Sequence, residues 1–419
     1  MLNLSNHICA LDIGSSKIAV CLAVVRSGRI DKVFFDNAPS KGVRSGVIVD
    51  SIALVDALAA LMKEFRNKSG IKIKYLYTNI SGQDIITKHS HAIVPLAERG
   101  NKVITHFDIQ RVNEQARILG SSLEDEIIHL IPSKYAIDSN GNIINPLGLY
   151  SHKLEADLYL ICARLSSVQT LSRAINQSGY EIKGLSFSGI ATSTAVFSNE
   201  IKEGINFFCD IGSDNTELLV FKDGLLQDIE VLASGGDDIT RKLQDELKVS
   251  FELAEDIKRS YGAISDLTQI KDDKEILVKK NTFYKPIKQR MVTEVVNASA
   301  KELCKRIKEA VDKRAAHYEV KNFVVVGRTV LLDGFIEALE NALSISVKLG
   351  RLNNTEIPSS IKENPELSGQ KYLMYLTPLG MICEALQEKR GSLPFREQTS
   401  KNPLLKTIAR FREVYEEYF

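Results

Sequence analysis

The sequence predicts a two-domain α/β protein, and its length, its apolar content and an internal repeat support this fold class. The chain has 419 residues, 44% of them hydrophobic, which is ample for a core but long for a single domain. The stretches CALDIGSSKIAVCLAV, residues 9–24, and FCDIGSDNTELLVFKDG, residues 208–224, share an apolar strand that ends in Asp-Ile-Gly-Ser. In each stretch a second apolar run follows a polar turn, which predicts an antiparallel hairpin. The chain is therefore expected to build the same hairpin once in each half.

Composition excludes several classes of protein. Lys and Arg total 54 against 53 for Asp and Glu, so no net basic field draws the chain onto nucleic acid, which is not an expected partner. The six cysteines form no C-x-x-C pair and fall mostly in apolar runs, which predicts buried, reduced thiols. The sequence shows neither an apolar stretch of roughly twenty residues nor a signal peptide, so the chain is expected to stay in the cytoplasm.

The two hairpin turns form a candidate phosphate site. Glycine permits close approach to the backbone, and consecutive turn amides can cradle an anion. The candidate turn residues are Gly14, Ser15, Ser16 and Lys17 in the first copy and Gly212, Ser213, Asn215 and Thr216 in the second. Asp12 and Asp210 end the two strands, where carboxylates can hold a hydrated Mg²⁺ that bridges phosphate oxygens. Two facing hairpins would clamp a nucleotide from both sides, although one Asp-Gly hairpin alone is equally compatible with a plain turn.

Two later stretches extend this candidate site. Gly235 and Gly236 precede a helix that is predicted to start near Asp237, which places another close backbone approach at a helix N-terminus. Glu255 and Lys258 lie three residues apart on a predicted helix and share one face. The same spacing is also typical of a surface salt bridge.

The order of these features resembles a known superfamily. A last stretch, residues 320–339, predicts a strand, a turn at Gly327 and a closing helix. Two phosphate hairpins, a Gly-Gly pair, a helix pair and this closing unit resemble the superfamily of actin, Hsp70 and sugar kinases. Within it, nearly the whole chain is similar to the FtsA family of bacterial cell-division proteins. KGVRSGVIVDSIALVDAL, residues 41–58, looks like that family's G-x-V-x-D segment, and residues 125–163 carry its I-I-H, I-P-x-x-Y, N-P-x-G and L-E-A motifs in order.

The resemblance implies an actin-like, ribonuclease-H-like fold with an FtsA-type inserted subdomain, and ATP with Mg²⁺ as ligands. Asp12 and Asp210 would organise Mg²⁺ through water, while Lys17 and the turn amides would hold the phosphates. Glu255 and Lys258 would face the ribose and the base. Hydrolysis would be slow at most, and the sequence identifies no residue that orients the attacking water.

The same resemblance implies a function at the division site. The chain would polymerise, hold the FtsZ ring to the cytoplasmic face of the inner membrane and recruit later division proteins. Two alternatives remain open. One is a small-molecule kinase of the same fold, which would need a base aimed at a substrate hydroxyl. The other is a PilM-like scaffold of a type IV pilus system, which would anchor through a partner's peptide.

The resemblance also divides the chain into segments. Domain one is expected to comprise residues 1–83, 163–195 and 363–386, with the inserted subdomain at residues 84–162. Domain two is expected to comprise residues 196–239 and 319–362, with a helical insertion at residues 240–318. A linker at residues 387–401 and a membrane-targeting helix at residues 402–419 are expected to follow.

The C-terminal segment has an amphipathic pattern of its own. At about 100° per residue, one stripe of the predicted helix is apolar. The stripe and its flank contain Leu404, Leu405, Ile408, Phe411 and Tyr415. Such a helix after a polar linker could lie in the bilayer interface or dock on its own domain. FtsA-type proteins end in a membrane-targeting helix, which favours the first interpretation.

One position departs from the family pattern. Related sequences usually carry two or three glycines where this chain has Gly327, Arg328 and Thr329. Arg328 could crowd the adenosine, stack its guanidinium on the base or point to solvent. We expect crowding, and therefore weaker ATP binding than the family pattern alone implies.

Overall fold

A computed structural model describes residues 6–96, 100–138, 140–197, 203–265, 275–280 and 283–390 of the chain. The predicted membrane-targeting helix and most of the predicted linker lie outside these residues. The strands before residue 165 are β1 Asn6–Ile13, β2 Lys17–Arg26, β3 Arg29–Pro39, β4 Val43–Arg44, β5 Val47–Ile48, β6 Tyr75–Ile80, β7 Ile85–Pro95, β8 Lys102–Val103, β9 Asp125–Ile137, β10 Asn140–Ile143, β11 Tyr150–Ser151 and β12 Lys153–Arg164. The later strands are β13 Glu181–Phe187, β14 Ile205–Ile211, β15 Thr216–Lys222, β16 Leu225–Leu232, β17 Glu275–Lys280, β18 Phe283–Lys288, β19 Val320–Val326 and β20 Val347–Leu349. The helices are α1 Ser51–Ser69, α2 His106–Gly120, α3 Leu165–Gln177, α4 Ser188–Val196, α5 Gly236–Leu247, α6 Phe251–Tyr261, α7 Gln289–Asp312, α8 Phe335–Leu343, α9 Ser359–Lys362 and α10 Leu376–Arg390.

Two five-stranded sheets have the same topology. Their strand orders are β13-β6-β1-β2-β3 and β16-β15-β14-β19-β20. In both sheets a three-stranded antiparallel meander is followed by two later strands that run parallel to the first strand of the meander. The repeated hairpin in the sequence is thus the start of a repeated sheet, and the predicted two-domain α/β fold class is confirmed.

The first sheet is covered on both faces, which explains the continuous apolar run of β2. Every residue of β2 between its first and last is buried, as expected for a strand with no solvent-facing side. Val20 shares one core with Phe65 of α1, whereas Cys21 shares the opposite core with Leu379 of α10. Alternate side chains of one strand therefore fill two separate cores.

Residues 85–164 form a separate sheet with strand order β10-β9-β12-β7. Helix α2 packs on it, and Val112 and Ala116 share a core with Leu158 and Leu160 of β12. The helix begins at a capping box, in which the Thr105 hydroxyl and the Asp108 carboxylate each accept a hydrogen bond from the other's backbone N–H. This sheet is the inserted unit of the chain, and the exact domain boundaries set out above remain predictions.

One hydrophobic core contains residues from both of the repeated sheets. It includes Phe187 at the end of β13 and Leu376 at the start of α10, together with Phe208, Leu219 and Val326 of the second sheet. Burial of apolar surface is non-directional and large, so this core holds the two domains together at one side. The turns of the two hairpins remain free to face each other across a cleft.

The described cysteines agree with the expectation from composition. All six cysteines are buried and none forms a disulfide, so the prediction of reduced core thiols is confirmed. Burial raises the pKa of the Cys304 thiol to about 11. Among the residues that the structure describes, no helix has both the length and the apolar character needed to span a membrane.

Tyr159 connects the inserted sheet to domain two. Its side chain is buried, its hydroxyl donates a hydrogen bond to Asp228 Oδ1 at 3.2 Å, and the backbone N–H of Ile229 donates to the same hydroxyl at 3.0 Å. Arg314 Nε donates to the other oxygen of Asp228 at 2.6 Å. The hydroxyl therefore belongs to a polar network between two structural units.

We predict that Tyr159→Phe lowers the free energy of unfolding by about 1 kcal/mol, because the substitution removes buried hydrogen bonds and leaves the ring in place. Urea unfolding followed by circular dichroism measures the change. Tyr318→Phe is the matched control, because Tyr318 is 79% exposed and should lose almost nothing. Equal losses in the two variants would show that the Tyr159 network contributes no stability.

Candidate functional site

A cleft with a cavity of about 430 Å³ lies between the two hairpin turns. It is lined by most of the predicted site residues, namely Asp12, Gly14, Ser15, Ser16, Lys17, Asp210, Gly212, Ser213, Asn215, Gly236, Glu255, Lys258, Gly327 and Arg328. Two predicted residues do not line it. Thr216 is fully buried and donates its hydroxyl hydrogen to the Ser234 carbonyl at 2.8 Å, and Gly235 lies against the Ser213 carbonyl. Both of these residues therefore support the second turn without lining the cavity.

The two hairpin turns have the same geometry. The N–H of Gly14 donates to the Lys17 carbonyl at 2.9 Å, and the N–H of Gly212 donates to the Asn215 carbonyl at 2.9 Å. Each turn therefore closes with a hydrogen bond from its glycine to the residue three positions later. The repeated sequence has produced two equivalent turns that line one cavity, as the phosphate-clamp hypothesis requires.

Two neighbouring side chains hold the carboxylate of Asp12 in the first hairpin. Its Oδ1 accepts from Asn79 Nδ2 at 2.8 Å, and its Oδ2 accepts from Lys17 Nζ at 2.6 Å. Asn79 also donates to Ser188 Oγ at 2.8 Å and accepts from the Ile13 backbone N–H at 2.7 Å. Asn79 and Ser188 were not predicted as site residues, because they lie on β6 and α4 and only the tertiary fold brings them beside Asp12.

Lys17 is shared between the acid and the backbone. Besides Asp12, its Nζ donates to the Met374 carbonyl at 2.7 Å. An ammonium group has three donors, so these two contacts fix the side chain at the cleft wall. The side chain is thus positioned beside the first turn, where the sequence placed a phosphate-binding cation.

The second hairpin contributes an acid pair that the sequence interpretation missed in part. Glu217 on β15 lies directly opposite Asp210 on β14, is 5% exposed and lines the cleft. Burial, and next the negative charge of Asp12, raises the pKa of Asp210 to about 6. Burial together with the charges of Asp210 and Asp12 raises the pKa of Glu217 above its usual range. The available signal was Glu217 itself, a lone acid that is followed by four apolar residues of β15.

The cleft wall of domain two depends on close contacts between backbone segments. The Gly212 carbonyl accepts from the N–H of Gly236 at 3.0 Å and from the hydroxyl of Thr329 at 3.1 Å. A Cβ atom at Gly236 would lie 2.5 Å from Thr329 Oγ1, so a side chain there would displace the Thr329 hydroxyl. Gly327 has φ of 98°, a conformation that other residues rarely adopt. These glycines bring α5 and the segment after β19 against the second turn.

Glu255 and Lys258 form an ion pair in which Lys258 is buried and Glu255 is half-buried, and not the surface salt bridge that their spacing also allowed. Lys258 Nζ lies 2.5 Å from Glu255 Oε2 and donates to the Gly236 carbonyl at 2.9 Å and to Thr240 Oγ1 at 2.7 Å. Three contacts use all three ammonium donors. Burial lowers the pKa of Lys258. At Glu255 burial acts to raise the pKa, but Lys258, Thr240 and Arg259 together outweigh it and lower the pKa. In this arrangement the pair supports the start of α5, and its predicted contact with ribose and base remains a prediction.

Arg328 lines the cleft and does not turn away from it. Its Nη2 donates to Ser16 Oγ at 2.8 Å, so a residue of domain two reaches the first hairpin turn of domain one. This orientation is compatible with crowding of the nucleotide and with stacking on its base. The side chain occupies space in the cleft that a glycine would leave open.

The residues present fit a hydrated divalent cation bound with phosphates. Asp12 and Asp210 face the cleft from opposite hairpins. Asn215 Oδ1 and Glu217 Oε2 are buried oxygen atoms that find no hydrogen-bond partner among the described residues, and leaving such an atom unsatisfied costs about 1–3 kcal/mol. In the described residues, no three His, Cys, Asp or Glu side chains are close enough to form a metal site by themselves. Oxygen donors that lack a partner beside two carboxylates are the donor set that Mg²⁺ prefers.

Comparison with known families identifies the chain. A model described as "SHS2 domain inserted in FTSA" matches residues 82–162, and a model described as "Cell division protein FtsA" matches residues 208–369. Together they cover more than half of the chain. The chain belongs to the FtsA family of cell-division proteins. The resemblance found in the sequence is therefore confirmed.

FtsA relatives from distant bacteria are similar over most of this chain. The FtsA protein of Pseudomonas aeruginosa is 23% identical over 415 residues, which span 96% of this chain and 97% of the relative. The FtsA protein of Streptococcus pneumoniae is 26% identical over 339 residues, which span 81% of this chain and 74% of the relative.

Solved structures show the same actin-like fold. A chain of the PilM–PilN type IV pilus biogenesis complex has a TM-score of 0.63 at 16% identity, with 90% of this chain and 98% of that chain covered. MreB5 of Spiroplasma citri bound to ADP has a TM-score of 0.52 at 10% identity, with 92% of this chain and 98% of that chain covered. At these identities the likeness establishes the fold alone.

We predict that Asp210→Asn weakens Mg-ATP binding by tenfold or more and yet does not destabilise the protein without nucleotide. The pKa of Asp210 is raised from 3.8 to about 6 in the folded protein, so folding favours the protonated carboxyl group. The stability that this preference provides is complete below pH 4 and is lost as the pH rises through 6. Removing the charge should therefore raise the free energy of unfolding at pH 7.5 by about 2 kcal/mol, and the gain should vanish near pH 4. Calorimetry with Mg-ATP and melting in the presence of a chelator measure the two effects.

Asp56→Asn is the control for this variant, because Asp56 is exposed on α1 and has no contact with the cleft. Unchanged Mg-ATP affinity in Asp210→Asn would contradict the role of the paired hairpins.

We predict that Arg328→Gly tightens ATP binding about tenfold, because the guanidinium no longer occupies the cleft and no hydrogen bond to Ser16 has to be broken. Isothermal calorimetry measures the affinity. Arg328→Lys keeps the length and the charge, so crowding predicts little gain in that variant. Weaker binding in Arg328→Gly would show that the guanidinium stacks on the base, and unchanged binding would show that it has no contact with nucleotide.

Proposed function

We propose that the chain is an actin-like protein of bacterial division that binds Mg-ATP in the cleft, assembles into filaments and tethers the FtsZ ring to the cytoplasmic membrane. The observation that carries the nucleotide part is the pair of equivalent turns that face one cavity. Membership of the FtsA family supports the role in division.

The geometry of the cleft supports nucleotide binding. The turn amides beside Gly14 and Gly212 can hold phosphate oxygens, and Lys17 adds a positive charge next to the first turn. The N-terminus of α5 begins at Gly236 beside the second turn, where the helix dipole favours an anion. The ADP-bound MreB5 structure shares this fold, which adds support of a general kind.

Mg²⁺ would be held by Asp12 and Asp210, with Glu217 close enough to add charge. When bound, the ion would neutralise phosphate charge and relieve the repulsion between these acids. This relief favours Mg-ATP over free ATP. Glu217 Oε2 could also hold a water molecule in the cleft. ATP hydrolysis, if it occurs, is expected to be slow.

Filament formation, FtsZ binding and recruitment of later division proteins are proposed from family membership. Association with membrane lipids is proposed from the apolar stripe of residues 404–415, which lies outside the described residues. The place of action would be the cytoplasmic face of the inner membrane at the division site. The structural likeness to PilM does not favour a pilus function, because both family models that match this chain describe FtsA, and one of them describes the FtsA insert itself.

We predict that Phe411→Glu reduces cosedimentation of the full chain with anionic liposomes by tenfold or more. Burial of one Phe side chain contributes about 1.5–3 kcal/mol, and the substitution also places a charge in the apolar stripe. Ala409→Glu is the matched control, because it adds the same charge about 160° away on the polar face. Equal release by both variants would assign the effect to net charge, and no release by Phe411→Glu would show that this helix is not the anchor.

The same two variants test the tether. The full chain should recruit FtsZ filaments to liposomes, and Phe411→Glu should still cosediment with FtsZ but leave it in solution. A parent protein that binds liposomes and does not bind FtsZ would contradict the tethering function and reopen the pilus alternative.

A further inference from the structure

The short turn between β4 and β5 lies against both hairpin turns. Within domain one, the N–H of Gly46 donates to Ser15 Oγ at 3.2 Å. The preceding N–H, that of Ser45, donates to Asp214 Oδ2 of domain two at 2.8 Å. Ser45 has φ of 51°, a left-handed conformation that is uncommon for a serine. Two successive amides of one turn thus contact the two facing hairpins.

Asp214 is firmly held at the other end of this contact. Its side chain is 4% exposed, and Arg241 Nη2 of α5 donates to its Oδ1 at 2.6 Å. Arg241 also donates to Asp238 Oδ1 at 2.9 Å, which fixes the guanidinium on its own helix. A buried carboxylate needs such a partner, because an unpaired buried charge is strongly unfavourable. The acid is therefore positioned by domain two and bound to domain one.

This contact joins the two domains beside the cleft. Asp214 belongs to the second hairpin turn and lines the cavity. Arg328 and Ser16 form another contact between the domains at the same cavity, also between a residue of domain two and a turn of domain one. A nucleotide that contacts both turns lies between the domains, and separating the domains breaks these contacts.

We propose that the contact between Asp214 and the Ser45 amide, which we name the cleft clasp, limits the rate at which nucleotide enters and leaves the cleft. The proposal rests on the proposed nucleotide function and concerns the regulation of that same site. A closing contact slows both association and release, because both need the open arrangement. It therefore changes the two rates more than it changes their ratio, the dissociation constant.

Electrostatic repulsion makes a different prediction for the same residue. If Asp214 acted only as a negative charge near the phosphates, its removal would slow release and tighten binding. Removal of a clasp instead accelerates both association and release. The direction of the change in the release rate separates the two roles.

The test compares the full chain with its Asp214→Ala variant in two measurements. Without nucleotide, hydrogen–deuterium exchange at the Ser45 amide should become at least about tenfold faster, because its acceptor has been removed. With a fluorescent ADP analogue and Mg²⁺, stopped-flow association and release should each accelerate by about tenfold or more. Asp214→Leu keeps the approximate side-chain volume, offers no acceptor to the Ser45 N–H and serves as the second variant if the alanine protein does not fold.

Asp223→Asn is the matched control, because Asp223 Oδ1 accepts the Gly204 N–H at 2.9 Å wholly within domain two. It should leave the Ser45 amide and both nucleotide rates unchanged. Unchanged exchange at Ser45, unchanged rates or slower release in the Asp214 variants would each overturn the proposal. A parent protein that binds no nucleotide would instead refute the proposed nucleotide function, and with it the gating role, whereas the exchange of the Ser45 amide would still report whether the contact exists.

Discussion

The cleft wall of domain two depends on the backbone carbonyl of Gly212. This one acceptor receives the N–H of Gly236 at 3.0 Å and the hydroxyl of Thr329 at 3.1 Å, and so joins the second hairpin turn to α5 and to the segment after β19. The contact is possible because Gly236 has no side chain to separate the segments. Lys258 lies beneath the same junction and donates to the Gly236 carbonyl. Loss of this junction would move the helix N-terminus away from the turn, and the candidate phosphate site would lose one of its two sides.

The two sides of the cleft are not equal in charge. On the first side, Asp12 is neutralised by Lys17 at 2.6 Å. On the second side, Asp210 and Glu217 lie opposite each other on paired strands, and burial raises the pKa of both. The charge of Asp12 adds to this effect at Asp210, and the charges of Asp210 and Asp12 add to it at Glu217. Acids in this arrangement destabilise a folded protein unless a cation or a proton compensates them. Proteins retain such unfavourable charged groups mainly where a bound ligand compensates for them, which supports a cation beside these carboxylates.

The inserted sheet is attached to both domains and not to one alone. The backbone N–H of Phe187, at the end of β13, donates to His129 Nε2 of the insert at 2.8 Å, while Tyr159 of the insert contacts Ile229 and Asp228 of domain two. Phe187 directly precedes α4, whose first residue, Ser188, belongs to the hydrogen-bond network of Asp12. The insert thus lies beside the elements that carry the cleft. A polar network and an apolar core therefore both join the insert to these elements, and the apolar core includes Tyr159 and Ile161 of the insert.

The sequence by itself determined the two domains, the repeated hairpin and the residues of both turns, because strand periodicity and turn chemistry are local properties of the chain. It also determined family membership through short motifs. Tertiary structure alone decided which side chains meet at the cleft. Sequence alone could not identify Asn79, Ser188 and Glu217 as site residues, because each looks like an ordinary residue of a strand or helix until β6, α4 and β15 converge. The Glu255–Lys258 spacing was equally compatible with an exposed and a buried pair, and the three contacts of Lys258 decided for burial. Contacts between residues as distant as Arg328 and Ser16, or Asp214 and Ser45, leave no periodic signal, because their proximity depends on how the two domains pack.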